Sequence, residues 1–189
     1  MRKKDARKLY REKRNTLTES EKMKADDLML IQFQTVDLPF LQTAFSYWPI
    51  EENNEPNTHL FTEFLRFRNP EIKLAYPVAD FSTHTMTALA VDIDTRFTKK
   101  ELDIFEPDEG EPVLPEELDL VMIPLLAFDK MGNRVGYGMG FYDKYLAGCR
   151  EDCIKVGFSY FEPLEVISDC TEFDVPLNLC ITPQNVYVF

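Results

Sequence analysis

Between residues 121 and 146 the chain reads VMIPLLAFDKMGNRVGYGMGFYDKYL, and four of its seven glycines, Gly132, Gly136, Gly138 and Gly140, fall in this stretch. Alternating glycines let a backbone pass through positive φ and let a ligand come close to the main chain. At the mouth of a helix they leave a row of N–H groups free to face an anion, and the helix dipole adds to the attraction. Arg134 before the row and Lys144 after it supply positive charge. Asp143 puts an acid where a phosphate would otherwise be expected, which suits a magnesium ligand. The stretch therefore reads as a cradle for nucleotide phosphates. A surface loop that merely starts a helix is the plainer alternative, because short glycine motifs carry false positives. The pattern is neither a Walker A loop nor a dinucleotide fingerprint.

Such a loop needs rigid elements on either side. Residues 118–123, apolar but for Asp119, read as a parallel strand covered on both faces, and 141–147 can continue as a helix. Residues 2–16 are good helix formers without Gly or Pro. There Lys3 and Arg7, and Arg7 and Arg11, are four apart and share a face. Thr18 and Glu21 form a capping-box pattern that opens a second helix to about residue 34, with Met23, Leu28 and Ile31 as its inner stripe. Strands are expected at 43–48, 73–78, 86–92, 118–123, 154–160 and 178–182, with a short one at 186–188. A helix capped by Thr58 runs to 67, where Asn69-Pro70 stops it. The acidic segment 97–117, with Pro107, Pro112 and Pro115, reads as an irregular crossing. Strands alternating with helices predict one α/β domain over 1–189. Its central sheet is mainly parallel, of about six strands, open and doubly wound, with ligands at the carboxyl ends of the strands.

Composition narrows the function classes. Hydrophobic residues make up 44% of the 189, enough for a globular core. No apolar run spans a membrane, and the first residues lack the apolar region of a secretory signal, so a cytoplasmic protein without membrane partners is expected. Cys149, Cys153, Cys170 and Cys180 with only His59 and His84 make a structural zinc site a poor fit and reduced thiols the simple reading. The net charge of −12 is uneven: residues 1–14 hold eight Lys/Arg against two acids, which leaves −18 on the rest. An acidic body argues against nucleic-acid binding. The basic end is left to fold onto that body or onto a phosphate ligand.

The string PLLAFDKMGNRVGYGMGFYDKYL resembles the signature of the 5-formyltetrahydrofolate cyclo-ligase family, P-x-x-x-F-D-x-x-G-x-R-[LV]-G-x-G-x-G-[YF]-Y-D-x-[YF]-L, at every fixed position from Pro124 to Leu146. Lys3 and Arg7 stand where the family has a K-x-x-x-R helix, and Glu55 to Thr58 resemble its E-x-x-T loop. Tyr76-Pro77, Ile104 to Pro107 and Asp174 to Thr182 follow in family order. The resemblance implies a ligase that uses ATP and magnesium to convert 5-formyltetrahydrofolate to 5,10-methenyltetrahydrofolate. The formyl oxygen would be phosphorylated and N10 would close the ring. By the same resemblance Lys3, Arg7, Arg134 and the loop Gly136, Tyr137, Gly138, Met139, Gly140, Phe141 and Tyr142 would hold ATP, with Arg134 and Tyr142 at the transferring phosphoryl group. Asp143 and Asp174 would hold magnesium. Glu55 would accept a hydrogen bond from the folate, and Trp48, Tyr137 and Phe141 would wall the pterin. Some family members carry basic residues where this chain has Tyr137 and Met139, and Lys130 or Lys144 is then the compensating charge. Small-molecule partners and a monomer are expected. The alternatives are a nucleotide- or folate-binding regulatory module without turnover, and a ligase for another formamide or acid.

Overall fold

The computed structural model describes residues 1–189. Two helices come first, α1 (Lys3–Asn15) and α2 (Glu19–Thr35), then β1 (Thr43–Phe45), α3 (Thr58–Arg68), β2 (Lys73–Asp80) and β3 (Thr85–Val91). Short strands β4 (Phe97–Lys99), β5 (Phe105–Pro107) and β6 (Pro112–Val113) lead into β7 (Leu120–Ile123). A tight hairpin, β8 (Ala127–Phe128) and β9 (Arg134–Val135), precedes α4 (Phe141–Leu146), and β10 (Ile154–Phe158), β11 (Leu179–Ile181) and β12 (Val186–Val188) end the chain. The main sheet has eight strands in the order β12-β11-β10-β7-β1-β2-β3-β6. Neighbours from β11 to β2 are parallel, while β12 and β3 run antiparallel to their inner neighbours. The expected α/β architecture is present: the main sheet has the six expected strands, the short one expected at 186–188 as the edge strand β12, and one more edge strand, β6, from the segment read as irregular.

The segment 97–117 is more ordered than its prolines suggest. It makes the β4–β5 hairpin and an edge strand on β3. Pro107 and Pro112 occupy strand ends and an edge, where a missing N–H costs no central ladder bond.

Period-two alternation sorts the inner strands between two cores. Leu120 and Met122 of β7 join Ala44, Val156, Phe158 and the inner faces of α2 and α3. Val121 and Ile123 join Phe45, Leu146 and Cys180 on the α4 side. A Cβ at Gly157 of β10 would sit 2.4 Å from Leu125 Cδ2, so the Leu125 side chain would have to move to admit one. A third cluster packs Ala6 and Tyr10 of α1 onto Leu126, Ala127, Val135 and Ile167, which fixes the basic helix against the hairpin that carries Arg134.

The capping box Thr18–Glu21 forms as expected. The inner stripe of α2 does not: Met23 and Ile31 are exposed, and the buried positions are Asp26, Met29 and Phe33. Asp26 Oδ1 accepts Tyr160 O–H (3.0 Å) and Asn57 N–H (3.3 Å), and burial pushes its pKa up to about 6 from the ordinary 3.8. The folded chain thus keeps a proton that the unfolded chain releases. Its stabilising contribution is complete below pH 3.8 and is lost as pH rises through about 6, an effect of about 3 kcal/mol. Asp26→Asn keeps the acceptor without the charge. It should melt about 5 °C above the wild type at pH 7 and together with it near pH 4, read by thermal denaturation. An asparagine variant that melts lower at pH 7 would contradict this.

Candidate active site

The chain order places β2 on one side of β1 and β7, β10 and β11 on the other, so the sheet's switch point lies between β1 and β7. Ligands gather at the carboxyl ends of strands beside such a point. A cavity of about 620 Å³ opens there, lined by Tyr47 and Trp48 after β1, Pro124 after β7, the glycine loop and one face of α1. All fourteen residues singled out from the sequence line this cavity.

The glycine loop has the geometry of an anion cradle. No N–H from Gly136 to Gly140 donates to another backbone group or to a side chain, although Gly136 O accepts Arg7 Nε–H at 2.9 Å. Gly140, at φ 75°, has open space where a Cβ would stand. Gly138, at φ 99°, has the Arg7 guanidinium packed 3.3 Å from its Cβ position, so a side chain there would meet both backbone strain and Arg7. Asp129, fully buried, shapes the turn ahead of the loop. Its two oxygens accept the N–H groups of Met131, Asn133 and Ile167 and the Asn133 amide.

Arg134 is 8% exposed and held on two sides. It donates to Val175 O and, at 2.7 Å, to Asp143 Oδ1, which also accepts Val175 N–H at 3.0 Å. Lys3 pairs with Asp174, whose other oxygen accepts the Thr171 N–H. The Lys3 ammonium and the turn hydrogen bonds offset burial and hold the Asp174 carboxyl below its ordinary range. The two carboxylates read as metal ligands thus stand in ion pairs with two of the three cations read as phosphate ligands, Lys3 and Arg134, while Arg7 has no acidic partner. Asp143 Oδ2 makes no hydrogen bond to protein. Arg11 adds a third cation from α1, while Lys130 pairs with Glu165 and Lys144 reaches His84 O, both away from the cavity. Arg11, one helical turn past Arg7, thus lines the cavity where Lys130 and Lys144 do not.

Glu55 lies across the cavity, 6% exposed. Its Oε2 accepts Ile50 N–H (2.7 Å) and its Oε1 accepts Tyr137 O–H. Burial pushes its pKa up against the pull of these bonds and of nearby Arg14. Tyr137 also accepts from Arg14 Nη1–H at 3.1 Å, and Arg14, only 1% exposed, donates through Nη2 to Leu125 O. A chain of polar contacts thus runs from α1 through the glycine loop to Glu55. Thr58, read as a helix cap, is instead the first residue of α3. Its hydroxyl donates to Tyr47 O at 2.7 Å, and Asn57 is the cap. Trp48 packs on His59, Phe97 and Phe105 with ring centroids 4.6–5.2 Å apart and still borders the cavity. Phe141 meets Phe81 at 5.2 Å. The Tyr142 hydroxyl makes no hydrogen bond to protein, and its ring packs on Phe45 at 6.2 Å.

Fold and site together define an α/β protein with unpaired loop N–H groups and aromatic side chains around one cavity at its switch point. The sequence matches the 5-formyltetrahydrofolate cyclo-ligase family over residues 1–183, and the chain belongs to that family. It is 30% identical over 182 residues to the 5-formyltetrahydrofolate cyclo-ligase of Mycoplasma pneumoniae, covering 94% of this chain and 96% of the relative. It is 37% identical over 130 residues to that of Haemophilus influenzae, 66% of this chain and 68% of the relative. The structure resembles Aquifex aeolicus 5,10-methenyltetrahydrofolate synthetase with a TM-score of 0.82 at 28% identity, covering all of this chain and 93% of the other.

Arg14 is a support residue that the sequence alone does not name, while Arg11, on the face of Lys3 and Arg7, and Glu106 and Asp129, inside the quoted motifs, carry no site role there. Ala6, Tyr10 and Arg14 recur every four residues and form the buried face of α1, a spacing that could have located Arg14. Glu106 sits among many acids and carries no local signal.

Proposed function

We propose that this protein cyclises 5-formyltetrahydrofolate to 5,10-methenyltetrahydrofolate with ATP, releasing ADP and phosphate. The observation that carries the reading is the row of unpaired N–H groups from Gly136 to Gly140, open to the same cavity as Glu55 and the four cations Lys3, Arg7, Arg11 and Arg134. A formamide carbonyl is a weak electrophile. Transfer of the γ-phosphoryl group to its oxygen makes a good leaving group, N10 adds to the formyl carbon, and phosphate departs with that oxygen. Proximity and charge neutralisation are what the protein must supply.

In this reading the amides of residues 136–140 hold phosphate oxygens, and Arg7 and Lys3 close over them from α1. Arg134 faces the γ-phosphoryl group, and the unpaired Tyr142 hydroxyl is a donor for it. Trp48, Tyr137 and Phe141 border the slot for the pterin. Glu55 accepts a hydrogen bond from the folate, and its raised pKa suits it to receive the proton that N10 gives up.

Magnesium fits the donor set only together with the nucleotide. No group of three or more His, Cys, Asp or Glu could hold a metal alone. Asp143 keeps one oxygen unpaired, and one or two carboxylates plus phosphates is how this ion is commonly bound. When bound it would neutralise phosphate charge. Asp143→Asn keeps the acceptor for Arg134 and loses the free oxygen. Its half-saturating magnesium concentration should rise about tenfold, in turnover and in the ADP-dependent thermal shift alike. A wild-type titration in both would remove Asp143 from the metal's ligands.

No helix is long and apolar enough to cross a membrane. A cytoplasmic, monomeric enzyme acting on small molecules is the accompanying proposal, tested by fractionation and by mass in solution. The direct test of function mixes protein, ATP, magnesium and 5-formyltetrahydrofolate and follows the methenyl absorbance. A folded protein that gives no ATP-dependent rise would end the proposal.

A further inference from the structure

The cavity holds a second buried carboxylate that the reaction above does not use. Glu106 lies on β5, opposite Thr98 of β4, and is 5% exposed. Its Oε1 accepts Ala79 N–H of β2 at 2.8 Å, while Oε2 makes no hydrogen bond to protein. Oε2 is absent from the sealed, unpaired polar atoms, which are Arg14 Nε and Tyr145 O–H, so it retains solvent access. The apolar part of the cavity lining includes Trp48, Pro77, Ala79, Phe81, Met86 and Ile104. A nearly buried carboxylate with one oxygen free of protein donors can take a donor from a ligand in place of water, and that bond strengthens as the ligand excludes solvent.

The donor's chemistry follows from the shape of the slot. A flat heterocycle that lies against Trp48 presents its edge to Glu106. The reduced pterin carries an adjacent N3–H and 2-amino group on one edge, a paired donor set that matches a carboxylate as a guanidinium does. We infer that Glu106 is a specificity-determining residue that reads the N3–H and 2-amino edge of the pterin. This rests on the folate reading of the cavity and adds where the ring's far edge is held. Burial pushes the Glu106 carboxyl's pKa up, Ala79 N–H pulls it down, and two ligand donors would favour the ionised form further.

Equilibrium binding separates this from turnover. Glu106→Gln keeps an acceptor for Ala79 N–H, so the tether between β5 and β2 survives. Calorimetric titration should show 5-formyltetrahydrofolate binding weakened about tenfold, with affinity for an ATP analogue within about twofold of wild type. An N3-methylated 5-formyltetrahydrofolate should bind wild type about tenfold more weakly than the parent and bind Glu106→Gln no more weakly than the parent does. Unchanged folate affinity in the variant, or the same methyl penalty in both proteins, overturns the assignment. A variant that melts lower and loses both ligands would also overturn it, because the carboxylate would then be only a tether. Wild-type protein that binds the folate but does not turn it over would defeat the proposed reaction and leave Glu106 in place. Wild-type protein that does not bind the folate defeats both.

Discussion

Replacing Arg134 with alanine will lower kcat/KM for ATP by about 10³-fold, measured as ADP release dependent on 5-formyltetrahydrofolate. The size comes from where the guanidinium stands. It lies on the floor of the cavity, 8% exposed, between the glycine loop and the chain at Val175. Its fork is fixed in advance by Val175 O and Asp143, so none of its ordering has to be supplied when the phosphoryl group moves. Arg134→Lys keeps the charge but lacks the planar fork and should recover only part of the loss. The fold survives the alanine change at a cost of about 1–3 kcal/mol, since Asp143 is 30% exposed and can turn to water. A variant with wild-type kinetics would show that Arg134 is a strut for the 171–176 turn and has no part in phosphate handling.

How far the site could be read from sequence depends on how local each signal is. The glycine loop and the Lys3–Arg7 face are written in spacings of two and four residues, and the structure turns both toward one cavity. Glu55 and Thr58 are also local, but only tertiary packing reveals their different tasks: Glu55 faces the cavity and Thr58 secures the end of β1. The inner face of α2 was misread because hydrophobicity was taken as the guide. Asp26 is buried for a partner, Tyr160, 134 residues away, and no window along the helix contains that fact. Arg14 and Glu106 were missed for the same reason. Each is one charge in a run of like charges, and burial by distant elements is what singles it out. The edge strand β6 is hidden for another reason, since it is two residues long and the prolines of 97–117 argue for a loop, whereas the other edge, β12, is the short strand expected at 186–188.

The ion pairs across the cavity imply a switch in partners when ligands arrive. Lys3 and Arg134 are neutralised by Asp174 and Asp143. A triphosphate would attract the cations, and magnesium would attract the carboxylates, so ATP and its metal together fit the site better than either alone. Residues read from sequence as two separate ligand sets are therefore joined in the structure by two ion pairs, with Arg7 left without an acidic partner.

The largest effect on stability is expected at Arg14. Arg14→Ala should cost about 3–5 kcal/mol, a fall in Tm of about 10 °C, and should weaken folate binding while sparing the ATP loop's own amides. Three losses combine. A side chain 1% exposed is removed, leaving a hole between α1 and the end of β7. Leu125 O and the Tyr137 hydroxyl lose a charged donor. Glu55 loses a nearby cation that pulls its pKa down, so its proton is held more tightly and its use as an acceptor declines. Two further variants separate filling from polarity. Arg14→Met restores most of the volume without the charge, and Arg14 Nε already lacks a partner, so methionine should recover about half the loss. Tyr137→Phe alone should cost about 1–2 kcal/mol, and in the Arg14→Met background less, because of its two hydrogen bonds the one from Arg14 is already gone and only that to Glu55 is left to lose. Denaturant unfolding of the four proteins gives the coupling directly. Strict additivity would mean that the Arg14–Tyr137 contact carries no energy.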